Sequence, residues 1–178
     1  DLEIVRVDQK GDRITVRERS TGKEFTASFE DLEQGKIRLE TSEGEVVTFE
    51  TGAPGGSTRI KSQEGQWEIG AQQANLPAWL PAYPGTEVRP VLSANTPTEE
   101  GGTLAFSVND PLEQVVSFYA ESFEKAGLRV HKMQQTSPGA GSGAMVVGEA
   151  ADESKRAVVI IGKEGSGFQV SVTWSQKK

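Results

Sequence analysis

The sequence has 178 residues, a net charge of −7 and no cysteine, and its length suits one large domain or two small ones. The lack of cysteine excludes disulfides, thiolate metal sites and cysteine nucleophiles. Acidic residues outnumber basic residues, and the basic residues form no continuous stripe, so nucleic acid is a poor candidate for a binding partner.

The first fifty residues predict a small all-β module. Five short segments alternate apolar and polar residues, the pattern of half-buried strands, and turn residues separate them. They are residues 2–8, 13–18, 24–29, 37–41 and 46–50. We predict an antiparallel meander or open barrel over residues 1–51. Its predicted core is Ile4, Ile14, Val16, Phe25, Phe29, Leu39, Val47 and Phe49.

Residues 52–75 are predicted to be a flexible or irregular linker. The stretch Thr51-Gly52-Ala53-Pro54-Gly55-Gly56-Ser57 is typical of a linker by composition. The residues after it leave two alternatives open, one more strand at Gln66–Gly70 or a mobile connector. We expect little regular structure over much of the range.

Residues 76–85 form a proline-rich joint that leads into the second module. The segment has three prolines and no charge, and proline disfavours helix and central strand. Its Trp79, Leu80 and Tyr83 are too apolar for a free tether, so we expect them to dock on the second module.

Residues 76–178 predict an α+β module whose best-supported element is a helix over residues 110–126. Asp110 is the expected cap, Pro111 suits the first helical position, and Glu113 follows three residues after the cap. Apolar residues cover one face of this helix, and Gly127 ends it. They are Leu112, Val115, Val116, Tyr119, Phe123 and Ala126.

The segments before and after this helix have the pattern of strands. They predict an antiparallel sheet with the helix packed on one of its faces. The expected strands are residues 87–93, 103–108, 128–134, 144–150, 156–162 and 168–174, and residues 95–102 and 136–143 are expected loops. The side chains predicted to face the helix are Leu104, Phe106, Val130, Val146, Val158, Ile160, Val170 and Val172.

Four aromatic residues are the candidates for a ligand or interface site. They are Trp79, Tyr83, Tyr119 and Trp174. Aromatic side chains at a joint and at the end of a sheet can line a groove or an interface. The alternative is that they fill the core between the joint and the helix.

No set of residues predicts catalysis, a cofactor or a metal site. His131 is the single histidine, and a plain surface histidine is the favoured interpretation. The glycines at 139, 141 and 143 precede a strand, whereas phosphate loops open onto a helix. A carboxylate-based enzyme using His131 is therefore the least favoured function.

Short motifs in both modules carry a resemblance to known proteins. In the second module they are Tyr83-Pro84-Gly85, Phe106, Phe118-Tyr119 and Gly127. In the first module they are Thr15-Val16-Arg17 and Ser20-Thr21-Gly22-Lys23 before Phe29-Glu30-Asp31-Leu32. With these motifs the chain resembles a recurring two-module group of bacterial envelope proteins of unknown function. The resemblance implies a membrane-spanning or lipoprotein segment upstream, and no functional residues.

These observations favour a non-catalytic binding or assembly module of a membrane-anchored, extracytoplasmic protein, with an unknown protein or small ligand as its partner. Residue 1 is Asp and a strand pattern begins at once, so we expect an upstream segment that supplies the only membrane contact. The alternatives are a cytoplasmic protein and a small-molecule or lipid carrier whose pocket lies between helix 110–126 and the sheet.

Overall fold

The chain divides into two compact units, Asp1–Gly70 and Ala71–Lys178. The computed structural model describes residues 2–8, 10–28, 30–31, 36–41, 44–53, 57–70, 76–137 and 141–178. These residues form thirteen β-strands and one long helix. All described strand pairs are antiparallel, so the predicted α+β class with an antiparallel sheet is confirmed.

The first unit is a seven-stranded antiparallel meander. Its strands are β1 (Leu2–Asp8), β2 (Arg13–Glu18), β3 (Glu24–Ser28), β4 (Lys36–Thr41), β5 (Val46–Ala53), β6 (Ser57–Ser62) and β7 (Gly65–Ile69). Each strand pairs with the next along the chain. Tight turns between short alternating strands produce this topology.

The two faces of this meander differ in polarity because side chains alternate along each strand. One cross-strand row holds Ile37, Phe49, Ile60 and Trp67. A neighbouring row on the opposite face is charged. There, Arg59 lies between two glutamates, with its Nη1 3.7 Å from Glu50 Oε2 and its Nη2 3.5 Å from Glu68 Oε2.

The predicted core of the first unit is largely half-buried, which corrects the expectation. Ile4 is 66% exposed, and Ala27 is the one buried apolar side chain in the described part of this unit. A single-layer sheet shields its apolar side only in part. Phe29 lies outside the described residues.

The linker predicted over residues 52–75 is also corrected, because β6 and β7 lie within it. Residues 54–56 and 71–75 of that range lie outside the described part. Strand β7 corresponds to the strand alternative at Gln66–Gly70. The new strands pair through Ile60 and Trp67, and the Ser57 hydroxyl donates a 2.9 Å hydrogen bond to Glu68 Oε1. Cross-strand contacts therefore stabilise a segment whose glycine and polar content suggested a linker.

The second unit is a six-stranded antiparallel sheet with one long helix. Its elements are β8 (Arg89–Asn95), β9 (Glu99–Val108), α1 (Leu112–Lys125), β10 (Arg129–Ser137), β11 (Gly141–Glu149), β12 (Lys155–Glu164) and β13 (Gly167–Lys177). Within this unit the strand order is β8-β9-β13-β12-β11-β10. β9 begins at Glu99, inside the predicted 95–102 loop.

Helix α1 begins and ends close to the predicted bounds. Pro111 is the residue at its N-cap, and no side chain caps it. Asp110 was the expected cap, but its Oδ2 instead accepts a 2.8 Å hydrogen bond from the Tyr83 hydroxyl. At the other end Gly127 adopts a φ of 77°, and the Leu128 amide donates to the Phe123 carbonyl. This is a glycine helix stop of the kind predicted.

The core of the second unit lies between α1 and one face of the sheet. Val115, Phe123, Val146, Val159 and Val170 have no exposed surface. Leu80 and Tyr83 of the proline-rich segment join the same core cluster, which confirms that this segment docks on the second module.

Two predicted core residues lie on the opposite face of the sheet. The buried residues of β12 are Ala157, Val159 and Ile161, whereas Ile160 is 55% exposed and Val158 is half-buried. The run Ala157-Val158-Val159-Ile160-Ile161 is continuously apolar, so its alternation could not be assigned from hydrophobicity.

Candidate functional site

The face of the second sheet opposite α1, here called the open face, has a polar half and an apolar half. The polar half lies on β9 and β13, where the Ser107 hydroxyl donates to Gln169 Oε1 and Thr103 is hydrogen-bonded to Thr173. The apolar half lies on β10, β11 and β12. It consists of Met133, Met145, Val147, Val158 and Ile160.

The apolar half is not the surface expected of a strand with one side in water. Such strands alternate, and the polar residues face the solvent. In β11 and β12 both sides are apolar over Ala144–Val147 and Ala157–Ile161. Ile160 is 55% exposed and Met133 is 63% exposed. Continuous apolar strands are typical of sheets that are covered on both faces.

Two glycines form a depression beside this apolar surface. Gly143 and Gly162 are direct cross-strand partners, so this part of the open face carries no side chains. An open groove of about 670 Å³ lies there, and Met133, Gln135, Met145 and Ile160 are among the residues that line it. We call it the glycine groove. A β-carbon placed on Gly162 would meet no atom within 4 Å.

The four aromatic residues predicted as a site form two separate groups. In the first, Tyr83 stacks on Phe106 with ring centroids 5.9 Å apart and lies 6.3 Å from Tyr119. Tyr83 is 4% exposed and Tyr119 is 1% exposed. Both rings therefore belong to the core, in agreement with the packing alternative.

The second group joins the proline-rich segment to β13. Trp79 and Trp174 are in edge contact with centroids 6.5 Å apart. The indole of Trp79 donates a 2.6 Å hydrogen bond to Gln176 Oε1, and the Gln176 amide donates to Glu100 Oε1. Trp174 is buried and Trp79 is half-buried. These contacts hold the segment in place.

The tyrosine environment gives a direct test of this packing. Burial, together with the hydrogen bond to Asp110, raises the pKa of Tyr83 to about 12. Burial and the nearby Tyr83 also raise the pKa of Tyr119. Their contribution to stability is present below the ordinary tyrosine pKa of about 10 and is lost as the pH rises through the higher folded-state values.

We therefore expect tyrosinate absorbance of the folded protein to appear at a higher pH than that of the unfolded chain. An alkaline absorbance titration of the native protein, with a denatured sample as control, measures this directly. The chain has two tyrosines, so a transition with half of the full amplitude and a midpoint near a pH of about 10 would show that one of them is exposed.

Other residues considered for chemistry remain apart. His131 is exposed on β10, opposite Val147 in β11. In the described ranges no group of three or more His, Asp or Glu side chains could hold a metal ion. The interface of α1 with the sheet, where a carrier pocket was predicted, is filled by Val115, Tyr119 and Phe123, each at most 1% exposed.

The sequence contains a signal for the apolar half of the open face, but none for the glycine groove. Continuous apolar runs in β11 and β12, inside an antiparallel sheet, mark a second covered face. The pairing of Gly143 with Gly162 depends on strand register, and no local pattern indicates it.

Among the helices of the described residues, none is long and apolar enough to cross a membrane. Comparisons of the chain with protein-family models, with curated proteins and with solved structures found no match.

Proposed function

We propose that the chain is a non-catalytic protein-binding module of a membrane-anchored bacterial envelope protein, and that it binds its partner with the open face. The observation that carries the proposal is the apolar surface of β11 and β12 on the side opposite α1. Strands that are apolar on both sides usually belong to sheets in which other structure covers both faces. Exposed apolar patches with polar rims mark interaction sites.

The form of the surface favours a protein over a small molecule. Its apolar residues extend across three strands, and polar residues such as Gln169 and Ser171 flank them on β13. An apolar centre with a polar rim is the usual composition of a protein interface. The glycine groove provides a recess for one projecting side chain, which is how interface anchors bind.

The envelope location rests on the resemblance and on charge. A net charge of −7 disfavours adsorption of this chain to an anionic membrane surface, because like charges repel. The attachment would therefore come from another segment of the protein, as in the proteins that the chain resembles.

A small-molecule carrier is the second candidate, with its site moved to the glycine groove. The groove volume of about 670 Å³ lies within the roughly 300–1,000 Å³ range of ligand pockets. A gently purified protein that retains a bound small molecule in native mass spectrometry would favour the carrier.

The test of the docking function uses a photo-crosslinking amino acid at Ser171, which lies opposite Ile160 on the open face. In cells that produce the full-length protein, we expect one discrete crosslinked protein in the membrane fraction. A second substitution, Gly162→Val, places a side chain in the groove at a position where a β-carbon meets no atom within 4 Å. It is expected to reduce the yield by about tenfold, as for loss of one interface anchor.

Thr173→Val is the matched control, since it adds a similar apolar side chain on the same face outside the groove. It should leave the crosslink unchanged. A crosslink that is insensitive to Gly162→Val would contradict the role of the groove, and recovery of the protein in the soluble fraction would contradict the anchored location.

A further inference from the structure

Strand β10 is a long, regular strand at the edge of the second sheet. It pairs with β11 on one side, and among the described strands it has no neighbour on the other. Its nine residues contain no proline or glycine, and its register with β11 runs without a bulge from Arg129 to Ser137. Residues 131–135 are all exposed. A long, regular edge strand of this kind offers its backbone as a template for pairing with another strand.

The sequence of β10 restricts which strand can pair with it. Side chains that lie directly opposite each other in an antiparallel pair point to the same face of the sheet. In a two-fold symmetric pair of β10 strands, one residue must therefore face its own copy. Met133 is the central residue of β10, so symmetry about Met133 pairs all nine residues.

We propose that two copies of this chain associate through β10, antiparallel and with Met133 on the two-fold axis. In that register His131 lies opposite Gln135, Lys132 opposite Gln134, and Arg129 opposite Ser137. The basic residues occupy the first half of the strand and the neutral polar residues the second. Each charge therefore meets a neutral side chain of the other copy.

The neighbouring symmetric register centred on Lys132 is less favourable. Symmetry about Lys132 would place two ammonium groups opposite each other, which is destabilising. A lysine on an edge strand also commonly protects against strand pairing, so the distance between the two Lys132 side chains affects the stability of the pair. With Met133 on the axis, the two Lys132 side chains are diagonal neighbours, about 7–8 Å apart at their backbones, and both are exposed to solvent.

The pairing also covers apolar surface. Met133 is 63% exposed and would pack against its own copy. It lies next to Met145 on the open face, which in turn lies next to Ile160. Symmetry about Met133 therefore makes the apolar halves of two open faces continuous. The association would give a twelve-stranded sheet from two second units, with both α1 helices on the same face.

The lack of cysteine in the chain permits a direct test with single-cysteine variants of the purified protein. Paired residues on the axis have Cα atoms about 4.5–5.5 Å apart, within the disulfide range of about 4.4–6.8 Å. Under mild oxidation, Met133→Cys is expected to form disulfide-linked dimers at least about tenfold faster than His131→Cys or Gln135→Cys. In those two variants the equivalent cysteines would be offset by four residues, or about 13–14 Å, along the strand direction.

A mixed sample verifies the register. When a tagged His131→Cys chain is combined with an untagged Gln135→Cys chain, the disulfide should link the two different chains. Equal rates for all three single variants, or no linked dimer from Met133→Cys, would overturn the proposal. The test uses purified protein without any partner, so its outcome is independent of the docking function proposed for the open face.

Discussion

Replacing Phe123 with alanine is expected to destabilise the second unit by about 3–5 kcal/mol, the usual cost of deleting a fully buried phenylalanine. The ring has no exposed surface, and its centroid lies 6.0 Å from that of Tyr119. A domain of this size is stable by about 5–15 kcal/mol. The substitution therefore removes a large share of the stability that holds α1 on the sheet.

The two units require a measurement that isolates the second. Trp67 lies in the first unit, whereas Trp79 and Trp174 lie in the second. In a Trp67→Phe background, tryptophan fluorescence during urea unfolding reports on the second unit alone. We expect the Phe123→Ala midpoint to fall sharply without a change in slope.

Phe118→Ala is the matched control, because Phe118 is on the same helix but is only partly buried. Its loss should cost roughly 1–2 kcal/mol, in proportion to the smaller buried area. Equal midpoint shifts for the two variants would show that Phe123 is not a central packing residue.

The helix was predictable because its signals are local. The spacing of Leu112, Val115, Val116, Tyr119 and Phe123 follows the helical period, and all five are buried. Gly127 ended the helix as expected. The predicted cap was wrong because Asp110 accepts a hydrogen bond from Tyr83, which lies far from it in the sequence, in the proline-rich segment.

Strand faces were predictable only where hydrophobicity alternates. β13 alternates, and Val170 and Val172 face the helix as predicted. β12 does not alternate, so Val158 and Ile160 were assigned to the wrong face. In the first unit, β6 was not predicted and β7 was predicted only as one of two alternatives, because short strands rich in polar residues and glycine resemble a linker until their cross-strand partners are known.

The candidate site depended even more on long-range register. The predicted site included Tyr83, Tyr119 and Trp174 because they are large aromatic residues, but the structure places them in the core. The glycine groove instead arises where two residues without side chains become partners across β11 and β12. Such a recess is a property of pairing between strands, and no single stretch of sequence contains it.

Close packing between α1 and the sheet determines the expected effect of Gly148→Ala. Gly148 lies on β11, opposite Val130 of β10. A β-carbon at this position would lie 2.6 Å from Cδ2 of Phe123 and 3.1 Å from Cδ1 of Leu128. Phe123 is fully buried and packs beside Tyr119, with ring centroids 6.0 Å apart, so we expect overpacking to cost about 1–3 kcal/mol.

The cause can be separated from any general effect of the substitution by a double-mutant cycle with Phe123→Ala. In the Phe123→Ala background the ring is absent, and the added methyl group would occupy part of the cavity. We therefore expect Gly148→Ala to be nearly neutral or slightly stabilising there, measured by the same fluorescence-detected urea unfolding. Additive losses would mean that the penalty at Gly148 comes from the strand backbone, and that close contact with Phe123 does not explain why this position is a glycine.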